Sequence, residues 1–134
     1  MRTEELTLDT SDRRVTDITD RVLGFARESG GDGLVSVFVP HATAGLAVME
    51  TGAGSEGDLE DAIERLLPRT DAYWHSHGSN GHGADHLLPV FISPSLVLPV
   101  IGGSVELGTW QRIVLVDTNR ENNSRRLILS FLAG

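Results

Sequence analysis

A chain of 134 residues, 40% hydrophobic and 22% charged, has the size of one globular domain and can bury a core without staples. The absence of cysteine excludes a disulfide framework, a thiolate nucleophile and a thiolate-held zinc, so any metal must sit on nitrogen and oxygen ligands. A formal net charge of −8 argues against a nucleic-acid binder, which carries a basic face, although a few local arginines can reverse the potential in one cleft.

No apolar run approaches the ~18 residues of a membrane span. Met1-Arg2-Thr3-Glu4-Glu5 lacks the apolar stretch of a secretory signal. The reading is a cytoplasmic protein without a membrane partner. Along the chain, Glu4 to Leu8 alternates and is expected as an opening strand. Thr16 or Asp17 can cap a helix running through Ile18, Val22, Leu23 and Ala26, stopped by Gly30-Gly31. Gly33 to Val39 is a β-branched strand. Gly45 to Met49 is a second apolar strand, expected to pair with it or lie near it. Ser55-Glu56-Gly57-Asp58 has the form of a capping box, and Leu59, Ala62, Ile63, Leu66 and Leu67 repeat at helical spacing up to Pro68.

A glycine-containing loop follows. His86 to Ile92 is expected as a short helix, with Pro89 tolerable only in its first turn. Ser95 to Val100 and Ser104 to Leu107 flank Gly102-Gly103, a two-residue hairpin signal. Thr109 to Asp117 and Arg126 to Leu132 are two further strands, joined by the polar loop Thr118 to Ser124. Most connections are too short for crossover helices. The fold class is therefore α+β: a single domain over 1–134 with antiparallel, sandwich-like sheets and two to three helices.

The chemistry concentrates in one stretch. Four of the five histidines, His75, His77, His82 and His86, lie within twelve residues. Imidazole is the commonest metal ligand and the usual acid or base near neutral pH. His82 and His86 are spaced i, i+4, which puts both on one face if the segment is helical. His75 and His77 share a face if theirs is extended. A solvated polar loop is the bland alternative. Asp71 and Asp85 are candidate acceptors that would fix a histidine tautomer.

The fifth histidine, His41, ends the apolar run Val35 to Pro40 and opens a small-residue segment, Ala42-Thr43-Ala44-Gly45, that lets a ligand or backbone approach. Glu50 ends the next strand, as either a solvated cap or a site residue. Trp110 reads as core or interface. Arg125-Arg126 reads as an exposed pair or an anion clamp. No phosphate loop, dinucleotide fingerprint or nucleophile elbow is present.

The order and spacing of these pieces resemble the YjbQ-type family, small proteins described as secondary thiamine-phosphate synthase enzymes. The resemblance is carried by His41-Ala42-Thr43-Ala44-Gly45-Leu46 with Glu50, and by Asp58-Leu59-Glu60. It continues in Tyr73-x-His75 and His86-Leu87, then Pro94-Ser95-Leu96 with Pro99-Val100. Leu107-Gly108-Thr109-Trp110-Gln111 and Arg125-Arg126 complete it. It implies an antiparallel α+β domain assembled as a homotrimer, with a pocket near the subunit interface that holds a divalent metal, zinc first among candidates. His41, Glu50, His75, His86, Trp110 and Gln111 fall on the family's motif positions, with Arg126 among them. The resulting assignment puts His41, His75, His82 and His86 on the metal and Glu50, Trp110, Gln111 and Arg126 in catalysis.

The chain departs from the pattern at Met49, where the family often has Asn, and at Ser76, where it often has an acid. His82 replaces an Asn or Asp, and His77 is additional. The implied activity is a weak thiamine-phosphate synthase acting on small phosphorylated substrates. The alternatives are a metal-dependent hydrolase of a phosphorylated or acylated metabolite and a non-enzymatic trimeric metal or metabolite binder.

Overall fold

The computed structural model describes residues 1–70 and 72–134; the expectation for Asp71 lies outside them. The elements run β1 (Arg2–Asp9), β2 (Val15–Asp17), α1 (Thr19–Ser29), β3 (Gly33–Phe38), β4 (Ala44–Met49), α2 (Ser55–Leu66), α3 (His82–Phe91), β5 (Ser95–Ile101), β6 (Ser104–Val105), β7 (Arg112–Asp117) and β8 (Ser124–Ala133). Two antiparallel sheets form, ordered β1-β8-β3-β5-β6 and β2-β7-β4. The α+β expectation is met.

Strand alternation sets the layers. In β8, Arg125, Leu127, Leu129 and Phe131 point inward. The three apolar ones join Leu6, Val35, Val37 and Val100 of the same sheet, Val22 and Phe25 of α1, and Leu46, Ile113 and Leu115 of the small sheet in the main core. The alternate β7 residues, Val114 and Val116, face the other way and pack under α2 and α3 with Ile63, Leu67, Ala84 and Leu88. The small sheet is thus buried on both faces, which is why β7 reads as a continuous apolar run rather than an alternating one. No helix among the described residues is long and apolar enough to cross a membrane.

Several local expectations are corrected. β4 pairs with β7, not β3, because Val39 to Thr43 carries the chain from one sheet to the other. Thr16 belongs to β2, and Asp17 accepts the Thr19 N–H (2.8 Å) at the start of α1. In α2, Ser55 is the first helical residue and makes no cap. Glu56 instead accepts the Gly52 N–H (2.7 Å), and Leu66 and Ala62 are exposed, so the buried stripe is narrower than the repeat suggested.

α3 starts at His82, four residues before the expected helix. Gly81, at φ 88°, supplies the left-handed N-cap. Pro89 consequently falls in the second half of the helix rather than its first turn. Thr109 to Gln111 is a turn rather than strand: the Gln111 N–H donates to the Gly108 carbonyl (3.0 Å), and the Gly108 N–H donates to Gln111 Oε1 (2.8 Å).

Candidate functional site

α3 brings the histidines together. His82 and His86 lie one turn apart on the same helix face, and the preceding loop folds back so that His75 and His77 meet them. This return needs glycine at two points. A side chain at Gly78, which has φ +82°, would meet the His82 ring at 2.5 Å, and one at Gly83 would meet Tyr73 at 2.6 Å. The backbone can therefore close on both rings only where no Cβ exists. The close Gly83–Tyr73 packing also explains why a helix forms across a glycine that propensity alone disfavours.

One nitrogen from each of His75, His77, His82 and His86 lies within 4.8 Å of the others. His82 Nε2 and His86 Nε2 are 3.0 Å apart. The His75 and His86 rings stack with centroids 4.3 Å apart, and the His75 and His77 centroids are separated by 4.0 Å. His75 Nδ1 is buried with no hydrogen-bond partner, a state that costs free energy unless something else satisfies the atom. Burial, and then the neighbouring imidazoles, hold the pKa values of His75 and His86 below the ordinary 6.5. Crowded, neutral imidazoles with lone pairs to share are the form in which histidine binds metal. Four nitrogens around a tetrahedral zinc at ~2.0–2.1 Å stand about 3.4 Å apart, a spacing bracketed by the 3.0 Å and 4.8 Å separations here. The donor set fits a borderline cation such as zinc.

A polar frame stands behind the rings. Asp85, 2% exposed at its side chain, accepts from both terminal nitrogens of Arg69, from Thr118 Oγ1 (2.8 Å) and from Asn119 Nδ2 (3.2 Å). Asn119 Nδ2 also lies 3.4 Å from His82 Nδ1, and Glu121 Oε2 lies 3.5 Å from the same atom. Glu121 is held in turn, because its Oε1 accepts the Ser79 N–H (2.5 Å). Asp85 bonds no histidine directly; it fixes Arg69, Thr118 and Asn119, the polar groups that stand behind the rings. A carboxylate beside His82 Nδ1 favours the proton there and leaves the Nε2 lone pair facing His86.

The structure does not bring the other expected site residues to this cluster within one chain. His41 lies elsewhere: its Nε2 accepts the Arg126 N–H (2.9 Å), which requires a neutral ring. Burial and the charges of Arg125 and Arg126 lower its pKa accordingly. Glu50, Trp110 and Gln111 are exposed and sit together where β4 and β7 meet at Met49↔Arg112. The pair Ala44↔Asp117 marks the other end, about 17 Å away by strand rise. Arg126 is exposed and engages Glu5 through two contacts of 2.9 Å, whereas Arg125 is fully buried on Asp117. The two arginines are therefore neither an exposed pair nor a joint clamp.

His77, which the sequence pairs with His75 on one face, is absent from the expected ligand set although its ring joins the cluster; Arg69, Asn119 and Glu121 carry no expectation at all. The polar run Thr118 to Ser124 held the only signal for the last two, and it read as a connection.

A family model described as "UPF0047 protein YjbQ-like" matches residues 4–134. The chain belongs to the YjbQ-like UPF0047 family. A UPF0047 protein of Mycobacterium tuberculosis is 58% identical over 134 residues, covering 100% of both chains. One from Archaeoglobus fulgidus is 36% identical over 129 residues, covering 96% of this chain and 99% of its own. Among solved structures, a hypothetical protein from Aeropyrum pernix K1 superposes with a TM-score of 0.88 at 34% identity, covering 100% of both chains. A YjbQ/UPF0047 family protein from Clostridium acetobutylicum gives 0.87 at 26% identity, covering 96% of this chain and 99% of its own. These similarities carry fold and family together along the whole length of the domain.

Proposed function

We propose that the protein is a metal-dependent enzyme in which His75, His77, His82 and His86 hold one divalent transition metal, zinc first among candidates, and that its substrates are small phosphorylated molecules. The observation that carries this reading is the convergence of four imidazole nitrogens within 4.8 Å, one ring having a buried nitrogen without a partner. His77 takes the fourth position that sequence reasoning gave to His41. A bound cation would supply Lewis acidity toward a phosphoryl or diphosphate oxygen. Asp85, Asn119 and Glu121 would hold the ring orientations on which that depends.

The reaction class we favour is the transferase named by the family resemblance: thiamine-phosphate synthase chemistry, in which a pyrimidine diphosphate and a thiazole phosphate join and pyrophosphate leaves. The hydrolase reading differs in one respect, the use of water as acceptor. Product formation that depends on both organic partners supports the synthase. Phosphate release with one partner and water replaces it with the hydrolase, and no turnover by the metal-loaded protein leaves a binding protein.

A homotrimer completes the proposal. The outer face of the five-stranded sheet exposes Leu34, Phe38, Val97, Ile101 and Leu132, a contiguous apolar surface of the kind that closes symmetric assemblies. Glu50, so distant from the histidines of its own chain, would act at the centre of a neighbouring chain. Light scattering at micromolar concentration is expected to give three times the 14.4 kDa chain mass; a concentration-independent monomer contradicts this part.

A further inference from the structure

A cleft of 470 Å³ opens on the far side of Thr118 and Asn119 from the histidine cluster, and it carries Arg13, Arg14 and Arg120. In a chain of net charge −8, three guanidiniums around one concavity need a reason. Arg13 and Arg120 are exposed and pair with no carboxylate among the described residues, and Arg14 reaches Glu60 only at 4.0 Å. The buried carboxylate in the wall, Asp117, is already neutralised by Arg125 at 2.7 Å. Glu60 and the exposed Asp12 are the remaining acids of the cleft, so cations outnumber free anions.

Both arginine-bearing segments are fixed. The Thr10 N–H donates to the Asn123 carbonyl (2.8 Å), Thr10 Oγ1 donates to Asp117 (2.7 Å), and the Arg14 carbonyl accepts the Asp117 N–H (2.8 Å). On the facing loop, Asn119 Oδ1 accepts the N–H groups of Glu121 and Asn122, both at 2.9 Å. The guanidiniums therefore project from pinned backbone, which lowers the ordering cost of binding. A planar fork of donors suits a phosphate oxygen face.

We propose that this cleft is an oxyanion site that holds the phosphate group of a phosphorylated small molecule. That the molecule is the enzyme's substrate rests on the metal-centre reading; phosphate binding itself does not. Asn119 belongs to both regions, so the cleft and the histidines share one wall.

The test uses inorganic phosphate and full-length, metal-free protein, titrated by calorimetry at constant ionic strength in chloride. Saturable binding is expected, and an Arg13→Gln/Arg120→Gln variant should weaken it at least ~10-fold through loss of charge-assisted hydrogen bonds. An Arg21→Gln/Arg27→Gln variant removes the same charge from exposed positions on α1 and should stay within ~2-fold, distant surface charge being screened. A His75→Ala/His86→Ala variant should bind phosphate as the parent does while losing any metal. Absence of saturable binding, or equal weakening in the two arginine variants, would overturn the proposal. Loss confined to the histidine variant would place the phosphate on the imidazoles instead. Phosphate binding by a parent protein that takes up no zinc when reloaded would sink the metal reading and leave this one standing.

Discussion

Asp117 and Asn119, two residues apart at the end of β7, belong to polar assemblies of opposite character. Around Asp117 both carboxylate oxygens are satisfied. Arg125 donates twice, through Nε and Nη2, Thr10 Oγ1 and the Asn119 N–H complete the carboxylate, and the same Nη2 also donates to Thr43 Oγ1 at 2.8 Å. Around Asn119 the frame is complete but the rings it faces are not: His75 Nδ1 has no partner, and two imidazole nitrogens point at one another across 3.0 Å. A buried polar network that closes on itself fixes a fold. One that ends in an unpartnered imidazole nitrogen leaves a lone pair for a ligand, which is what the proposed metal site requires.

Removing a member of the closed network should have the largest effect on stability. Asp117→Ala leaves the buried Arg125 charge unpaired, at an expected cost of ~3–5 kcal/mol, read as a fall in the denaturant midpoint. His75→Ala, which removes an unsatisfied atom, should change stability by under ~1 kcal/mol. Similar losses in the two variants would erase the distinction between the assemblies.

The catalytic assignment of Glu50 is next. Glu50→Gln should leave the melting temperature and metal content unchanged and reduce turnover by ~10² to 10⁴. Unfolding or loss of metal would make Glu50 a structural residue or a ligand. A smaller effect is expected at the edge of the open network, where Glu121→Gln should weaken metal affinity ~10- to 100-fold without removing a ligand. Unchanged affinity would mean that the Glu121 carboxylate does not orient His82.

The smallest effect is on pH. The pKa values of His41, His75 and His86 are lowered in the folded state, so the unfolded chain takes up protons first as pH falls. Metal-free stability should be flat above the ordinary imidazole value of 6.5 and decline below it. Protons should weaken metal binding in the same range. A decline beginning only in the carboxylate range would show that the histidines are not coupled to folding.

How much of this was legible from residue types follows from distance along the chain. The histidines are close in sequence, so their clustering needed only the geometry of one helix and one returning loop. The layers were legible for the same reason: alternation in β8 and the apolar run in β7 are local signals. The partner of β4 was not, because pairing across Val39 to Thr43 depends on which sheet the chain enters. Arg125 and Arg126 look alike in sequence, and strand alternation alone buries one and exposes the other. His41 joins the expected ligand set only through the family resemblance, and within one chain its ring serves the backbone of Arg126. Asn119 and Glu121 became visible only when the Thr118 to Ser124 connection was seen to fold against α3.

The proposed metal site in the histidine cluster can be tested on the protein alone. Its most direct test is elemental analysis of untagged protein, purified without a metal resin and reloaded with zinc, beside the His75→Ala/His86→Ala variant. Up to one metal per chain is expected in the parent and none retained in the variant, with both proteins folded. No metal in the reloaded parent, or equal retention by the two proteins, would contradict it.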